Sequence, residues 1–251
     1  MDPSAWFDFS GRVALISGGA GGIGRELVLA FANSGAHVVV ADVDAAAASS
    51  VADEAATASA ITVDIRDASA VERLTGEAWD EHGKIDILVN TAAVYVRTPA
   101  ATLTEVEYDR TMDINVKGTW LLSQAVGRRM IDRGEGRIIN YTSNAGLRGS
   151  PLQVAYNASK AAVISMTKTL AVEWARTGVT VNAVAPGPTD TALMAPAFTD
   201  PEMIDTFAQR IPQGSLTATD VTVGPVLFLA SPLAGAITGH TLFADGGMSA
   251  T

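Results

Sequence analysis

The tightest constraint on this chain lies in the run RVALISGGAGGIGRELVLAF, residues 12–31. A short apolar run rich in β-formers leads straight into a glycine-rich turn, and the turn opens an amphipathic helix. A strand that feeds a helix so directly reads as the first half of a βαβ crossover. Gly18, Gly22 and Gly24 have G-x-x-x-G-x-G spacing. Glycine tolerates positive φ and lets backbone approach a pyrophosphate, which then rests on the free N–H groups of the helix N-terminus. An acid closing the next strand strengthens that reading. HVVVAD (37–42) supplies it as Asp42. A carboxylate there accepts hydrogen bonds from ribose hydroxyls and repels a 2′-phosphate, which points to NAD over NADP. The competing role for Asp42 is a helix cap in the βα turn. No Arg or Lys stands between Gly18 and Gly24.

The same rhythm continues along the chain. Strands are predicted at 12–17, 37–42, 60–64, 85–90, 136–142, 179–185 and 240–245, and helices at 23–34, 44–56, 68–82, 103–132, 153–177 and 218–230. Several strand candidates are apolar on both faces, as in a parallel sheet covered by helices on each side. The expected fold class is α/β, a Rossmann-type doubly wound parallel β-sheet of about seven strands flanked by helices. Residues 1–251 carry no repeat, linker or composition shift, so one domain is expected. The Pro-, Thr- and Ala-rich stretch at about 187–214 reads as a substrate flap with a short helix near 201–210.

Composition narrows the function. The chain is 48% hydrophobic with 23 glycines, as a tightly turned globular enzyme would be. It has no cysteine, which excludes disulfides, thiol catalysis and Cys-ligated metal and suits a reducing cytoplasm. A net charge of −10 opposes a nucleic-acid or anionic-membrane surface. The N-terminus lacks the pattern of a signal peptide, and no apolar run is long enough to span a bilayer. His37, His82 and His240 have no metal-ligand spacing and read as surface or strand-end residues, so no metal is expected.

The sequence AYNASKAAV (155–163) sets Tyr156 and Lys160 four residues apart, on one face of the predicted helix. A cation beside a phenol favours phenolate. At about 4 Å and an effective dielectric of about 20 the attraction is roughly 4 kcal/mol, or about three pKa units. Such a pair makes a proton shuttle for neutral pH. The competing reading is a surface Tyr and Lys on an ordinary helix.

Taken together, these motifs resemble the short-chain dehydrogenase/reductase family over essentially the whole chain. The glycine loop looks like that family's cofactor fingerprint, with Ser17 where Thr is usual and Ile23 within the turn. The resemblance carries further residues. Val43 follows Asp42, Asp64 matches the acid beside the adenine ring, and Ile65 lies next to it. Asn90 ends the fourth strand, where NTAA replaces the usual Asn-Asn-Ala-Gly: Thr91 and Ala93 stand for Asn and Gly, and Ala93 adds a methyl where backbone passes close to the cofactor. Asn115 of DINVKG corresponds to the asparagine that holds a water in a proton relay. Ser143 lies thirteen residues before Tyr156 and would polarise the substrate oxygen. Pro186, Gly187, Thr189 and Thr191 match the segment that packs on the nicotinamide. By this resemblance Tyr156 is the general acid/base, Lys160 lowers its pKa and binds the nicotinamide ribose, and the molecule is a homotetramer.

The implied reaction is hydride transfer between NAD(H) and a secondary alcohol or ketone, a small-molecule substrate. An NADPH-dependent 3-oxoacyl-type ketoreductase is the alternative, and a non-catalytic dinucleotide-binding regulator is a third. Substrate is expected against Val94, Tyr95, Asn144, Leu147, Leu152, Gln153, Leu193, Met194 and Phe198. Most of these are apolar, with Arg97 and Arg148 at the margins, so a neutral, apolar, medium-sized alcohol is expected.

Overall fold

A computed structural model describes residues 6–189, 191, 193, 194 and 201–251, with the side chains of 201–203 excepted. The strands are β1 (Val13–Ser17), β2 (His37–Asp42), β3 (Ala58–Thr62), β4 (Ile87–Asn90), β5 (Gly136–Tyr141), β6 (Val179–Pro186) and β7 (Thr241–Ala244). They form one sheet in the order β3-β2-β1-β4-β5-β6-β7, every pair parallel. The expected doubly wound α/β sheet is what the chain forms. The order reverses between β1 and β4, and in such sheets ligands bind beyond the strands' C-terminal ends at that switch.

Helices α1 (Gly22–Asn33), α2 (Ala45–Glu54) and α8 (Val223–Ala230) cover one face. Helices α3 (Ala68–His82), α5 (Thr119–Arg133) and α6 (Val154–Trp174) cover the other. Strand alternation divides the core cleanly. Ala14, Ile16, Val38 and Val40 meet Leu27, Val28 and Phe31 of α1. Val13, Leu15 and Val39 face the opposite layer, with Leu74, Leu122 and Val126. β1 and β2, in the middle of the sheet, are thus apolar on both faces, as a parallel sheet between helices requires.

Three departures from the sequence reading have physical causes. The helix expected at 103–132 is divided into α4 (Glu105–Met112), a π-helical turn (Asp113–Gly118) and α5. The turn carries Asn115, whose amide bonds Val94, and π turns often mark such functional insertions. Strand β3 starts and ends two residues before the expected 60–64, in register with β2 from Val38↔Ala58 to Asp42↔Thr62. His37 and His82 are not scattered: their rings lie 4.1 Å apart where β2 begins and α3 ends. Burial, then the neighbouring His82, lowers the His37 pKa. The short helix expected in the flap is α7 (Pro201–Ala208). Among the described residues no helix is long and apolar enough to cross a membrane.

Candidate active site

A cleft of about 620 Å³ opens at the switch between β1 and β4. That size is within the roughly 300–1,000 Å³ of small-molecule and cofactor sites. Its floor is backbone. Gly18, at φ +72°, turns the chain out of β1, and a Cβ there would stand 2.7 Å from the Ala92 backbone. A Cβ on Gly24 would overlap the Gly18 carbonyl oxygen. Helix α1 starts on Gly21 with no side-chain cap, so the N–H groups of its first turn face the cleft along Gly22, Ile23 and Gly24. An uncapped helix start with no side chains in the way is a fitting seat for a pyrophosphate. Thr91 secures this turn from β4: its hydroxyl and N–H both donate to the Ser17 carbonyl, at 2.6 and 3.1 Å. NTAA therefore keeps the turn closed, and Ala93 lines the cleft.

Asp42 lies on the cleft wall and accepts hydrogen bonds from the N–H groups of Ala20 and Asp44, each at 3.1 Å. It is not the cap of α2. Asp44 is, accepting from Ala47 N at 3.0 Å. Val43 and Ile65 line the same wall. Asp64 also lies there, but Arg66 grips its carboxylate through Nε at 2.9 Å and Nη2 at 2.6 Å. That guanidinium holds the Asp64 carboxyl below its usual pKa. Arg66 and Arg110 both line the cleft and were missed in the sequence, although Arg66 is only two residues beyond Asp64.

Four expected cofactor contacts fall elsewhere. The Asn90 amide donates to Asn140 Oδ1 at 2.9 Å and to Ser123 Oγ at 3.1 Å, because strand alternation turns it into the α5–α6 layer. The Ser17 side chain is buried off the cleft, and its carbonyl serves Thr91. Gly187 packs on Asp245, where a Cβ would come within 2.9 Å of backbone. Thr189 is buried and donates to the Gly187 carbonyl at 3.0 Å. Pro186 and Thr191 do line the cleft.

Tyr156 and Lys160 sit in the first two turns of α6, both buried and both on the cleft. Lys160 does not reach the phenol. Its Nζ donates to the Tyr141 carbonyl at 3.0 Å and stands 5.6 Å from the centre of the Tyr156 ring. Here the electrostatics correct the sequence reading. Burial pushes the Tyr156 phenol up to about 12, against the hydrogen bond from Ser143, and pulls the Lys160 amine down to about 8. Desolvation disfavours both charged forms and outweighs the attraction expected from i,i+4 spacing. At neutral pH the free enzyme holds a protonated phenol.

Ser143, two residues beyond β5, accepts from Ala145 N at 3.2 Å and donates to Asn144 Oδ1 at 3.5 Å, shaping the turn, and it is near enough to the Tyr156 phenol to oppose the rise in its pKa. Asn115 is spent on structure: its amide accepts from Val94 N at 2.8 Å and donates to Val94 O and Ser159 Oγ, each at 3.0 Å. Together Ser143, Tyr156 and Lys160 provide a proton donor, a hydroxyl near it and a cation beside one open cleft.

The expected substrate residues separate into wall and rim. Val94 lines the cleft, and the Tyr95 ring meets Tyr156 edge-on at 4.9 Å. Asn144 is buried, with its amide toward Asp245 and Met248. Leu193 lines the cleft mouth, and Met194 is half-buried beside it, its N–H on the Thr191 carbonyl. Leu147 is 59% exposed and forms no part of the wall. Leu152 is at the surface with φ +68°, its carbonyl holding Thr98 N at 2.9 Å, and Gln153 precedes α6 as its N-cap. Arg148 is committed to the Met248 carbonyl at 2.8 Å. Phe198 lies outside the described residues.

The family model described as Enoyl-(Acyl carrier protein) reductase matches residues 18–249. The chain belongs to the short-chain dehydrogenase/reductase family. It is 40% identical to a sorbitol dehydrogenase of Cereibacter sphaeroides, across 94% of this chain and 97% of that one. It is 37% identical to an NAD-dependent glycerol dehydrogenase of Listeria innocua, across 96% and 95%. A gluconate 5-dehydrogenase of Burkholderia cenocepacia, solved with NADP and tartrate, superposes with a TM-score of 0.94 at 34% identity, covering 98% of each chain. As a member of this family the protein is an oxidoreductase that moves hydride between a nicotinamide dinucleotide and a secondary alcohol or its ketone.

Proposed function

We propose that this short-chain dehydrogenase/reductase oxidises a neutral secondary alcohol with NAD. The observation that carries the cofactor choice is Asp42, a carboxylate on the cleft wall at the end of β2 that caps no helix. There it accepts from ribose hydroxyls and repels a 2′-phosphate. Arg66, the nearest cation in sequence to that wall, is already paired with Asp64, which supports NAD further. The relative solved with NADP is the reason to test the choice directly.

The nicotinamide supplies the hydride chemistry when bound. The uncapped start of α1 would hold the pyrophosphate, and Pro186, Thr191 and Val94 line the same cleft. Tyr156 passes the proton to or from the substrate oxygen, and Ser143 hydrogen-bonds that oxygen while orienting the phenol. Lys160, held by the Tyr141 carbonyl on the cleft wall, would meet the ribose hydroxyls there and set a positive charge near Tyr156. Asn115 acts as a positioning residue, fixing the Val94 backbone. A neutral substrate is favoured because Arg148 is engaged elsewhere, Val94 and Leu193 are apolar, and Arg110, the cleft cation not held by Asp64, is exposed to solvent. Apolar Trp120 on α5 and Val172 on α6 are exposed, consistent with a homotetramer, and the absence of cysteine with a cytoplasmic enzyme.

A screen of neutral alcohols, polyols, hydroxy acids and carrier-protein thioesters, read as NADH absorbance, tests this reading. Neutral alcohols should give the highest kcat/KM. Preference for a charged substrate or a thioester would overturn it.

A further inference from the structure

Near the proton-transfer site two buried side-chain atoms have no partner, Asn157 Oδ1 and the Tyr95 hydroxyl, and of these only Tyr95 has its ring against Tyr156. Most of the polar groups around them are paired. Tyr141 donates to the Thr222 carbonyl at 3.1 Å, Lys160 to the Tyr141 carbonyl, and Thr142 to the Lys160 carbonyl at 2.8 Å. The Ser143 hydroxyl donates to Asn144 Oδ1 at 3.5 Å and accepts from Ala145 N at 3.2 Å. Tyr95 breaks the pattern: its hydroxyl is buried, and among the described residues no group hydrogen-bonds it. Buried hydroxyls are nearly always paired, and an orphan at a functional site calls for a cause.

Its position supplies one. The Tyr95 ring stands edge-on to Tyr156, with centroids 4.9 Å apart and planes at 89°. Its backbone is held on both sides, by the two Asn115–Val94 bonds before it and the Thr98–Leu152 bond after it. Burial raises its pKa, so it stays a neutral phenol able to donate and accept.

We propose that Tyr95 is a specificity residue: its hydroxyl pairs with a second hydroxyl of the substrate, next to the carbon whose oxygen faces Tyr156. The substrate is then a polyol rather than a monohydric alcohol. A neutral donor–acceptor group matches an alcohol hydroxyl in both roles, whereas a carboxylate would need a cation. The nearest in sequence, Arg97, is exposed. This inference rests on the neutral-alcohol reading above and sharpens its substrate class from apolar to hydroxyl-rich.

The test is Tyr95→Phe, which keeps the ring and removes only the hydroxyl. Steady-state NAD reduction is measured for a four-carbon polyol and for 2-butanol, with wild type and variant. Wild type should prefer the polyol, and Tyr95→Phe should lower kcat/KM for it about tenfold or more, chiefly through KM, because the substrate hydroxyl is left unpaired. The loss on 2-butanol should be several-fold smaller, so that the preference for the polyol over 2-butanol falls in the variant. The melting temperature of the free protein should stay level or rise, since no internal bond is lost. Equal losses on both substrates, or a fall of several degrees in melting temperature, would show that the hydroxyl serves Tyr156 or the fold and would overturn the inference. Wild-type polyol oxidation with an unaffected variant would sink Tyr95's role and leave the neutral-alcohol reading standing. A wild-type preference for a hydroxy acid would overturn both.

Discussion

At the dinucleotide end of the cleft the walls are mostly main chain, whereas at the proton-transfer end they are side chains gathered from distant segments. The first end is built from the β1–α1 turn, with Gly18 and Gly24 pressed against backbone, and from the tips of β2 and β4. The second draws Tyr95 from beyond β4, Asn115 from a π turn, Ser143 from beyond β5, and Tyr156 and Lys160 from α6. A backbone site is specified by where a side chain must be absent. A side-chain site is specified by what each group touches, and burial governs its electrostatics. The two ends should therefore fail differently when altered.

The largest effect is expected at the side-chain end. Tyr156→Phe should lower kcat by a factor of roughly 10² or more while the cofactor dissociation constant, read by NADH fluorescence, stays within about threefold. Near-normal turnover would remove Tyr156 from the proton path. Gly24→Ala should do the reverse. Its methyl group meets the Gly18 carbonyl, and relief of such overpacking costs about 1–3 kcal/mol, so NADH binding should weaken about tenfold or more. Unchanged NADH affinity would show that the turn relaxes freely.

A third change separates stability from function within the proton-transfer end. Lys160 is buried with its pKa pulled from 10.5 down to about 8. Below pH 8 the amine is protonated folded and unfolded, and the full penalty of burying its charge is present. Between pH 8 and 10.5 the unfolded chain binds more protons, so wild-type stability rises with pH as the penalty fades. Lys160→Met should abolish turnover yet raise stability at pH 7 by about 1–2 kcal/mol, the penalty of about 3 kcal/mol less the lost Tyr141 bond. Urea unfolding at pH 7 and pH 10 measures this. A variant less stable than wild type at pH 7, or an advantage that grows with pH, would contradict the burial argument. Smallest of all is Leu147→Ser on the exposed rim, which should shift stability by less than about 0.5 kcal/mol and leave kcat/KM within about twofold.

The contrast between the two ends also governs what could be read from the sequence. Glycine spacing, Asp42 and the β-branched strands are local signals, and the doubly wound parallel sheet and the phosphate turn followed from them. The i,i+4 placement of Tyr156 and Lys160 was legible for the same reason. Their electrostatics were not, because Lys160 is drawn to the Tyr141 carbonyl, nineteen residues away, and burial exceeds the pair attraction. Asn90 looked like a cofactor contact, yet pairing with Asn140 depends on β4–β5 register, which no local pattern reveals. Asn115 of the π turn is bonded to Val94, twenty-one residues away, a pairing no local pattern shows. Asp64 read as an open acid because its cation, Arg66, sits so close that spacing alone gave no sign of the pairing.

Asp42 is where the backbone-built end makes its one charged choice, and the ratio of kcat/KM with NAD to that with NADP, on one alcohol, tests it most directly. Wild type should favour NAD by about tenfold or more, from loss of the ribose hydrogen bonds and repulsion of the 2′-phosphate. Asp42→Ala should weaken NAD, improve NADP and bring the ratio toward unity. A wild-type enzyme that prefers NADP, or a ratio that Asp42→Ala leaves unmoved, would contradict the account.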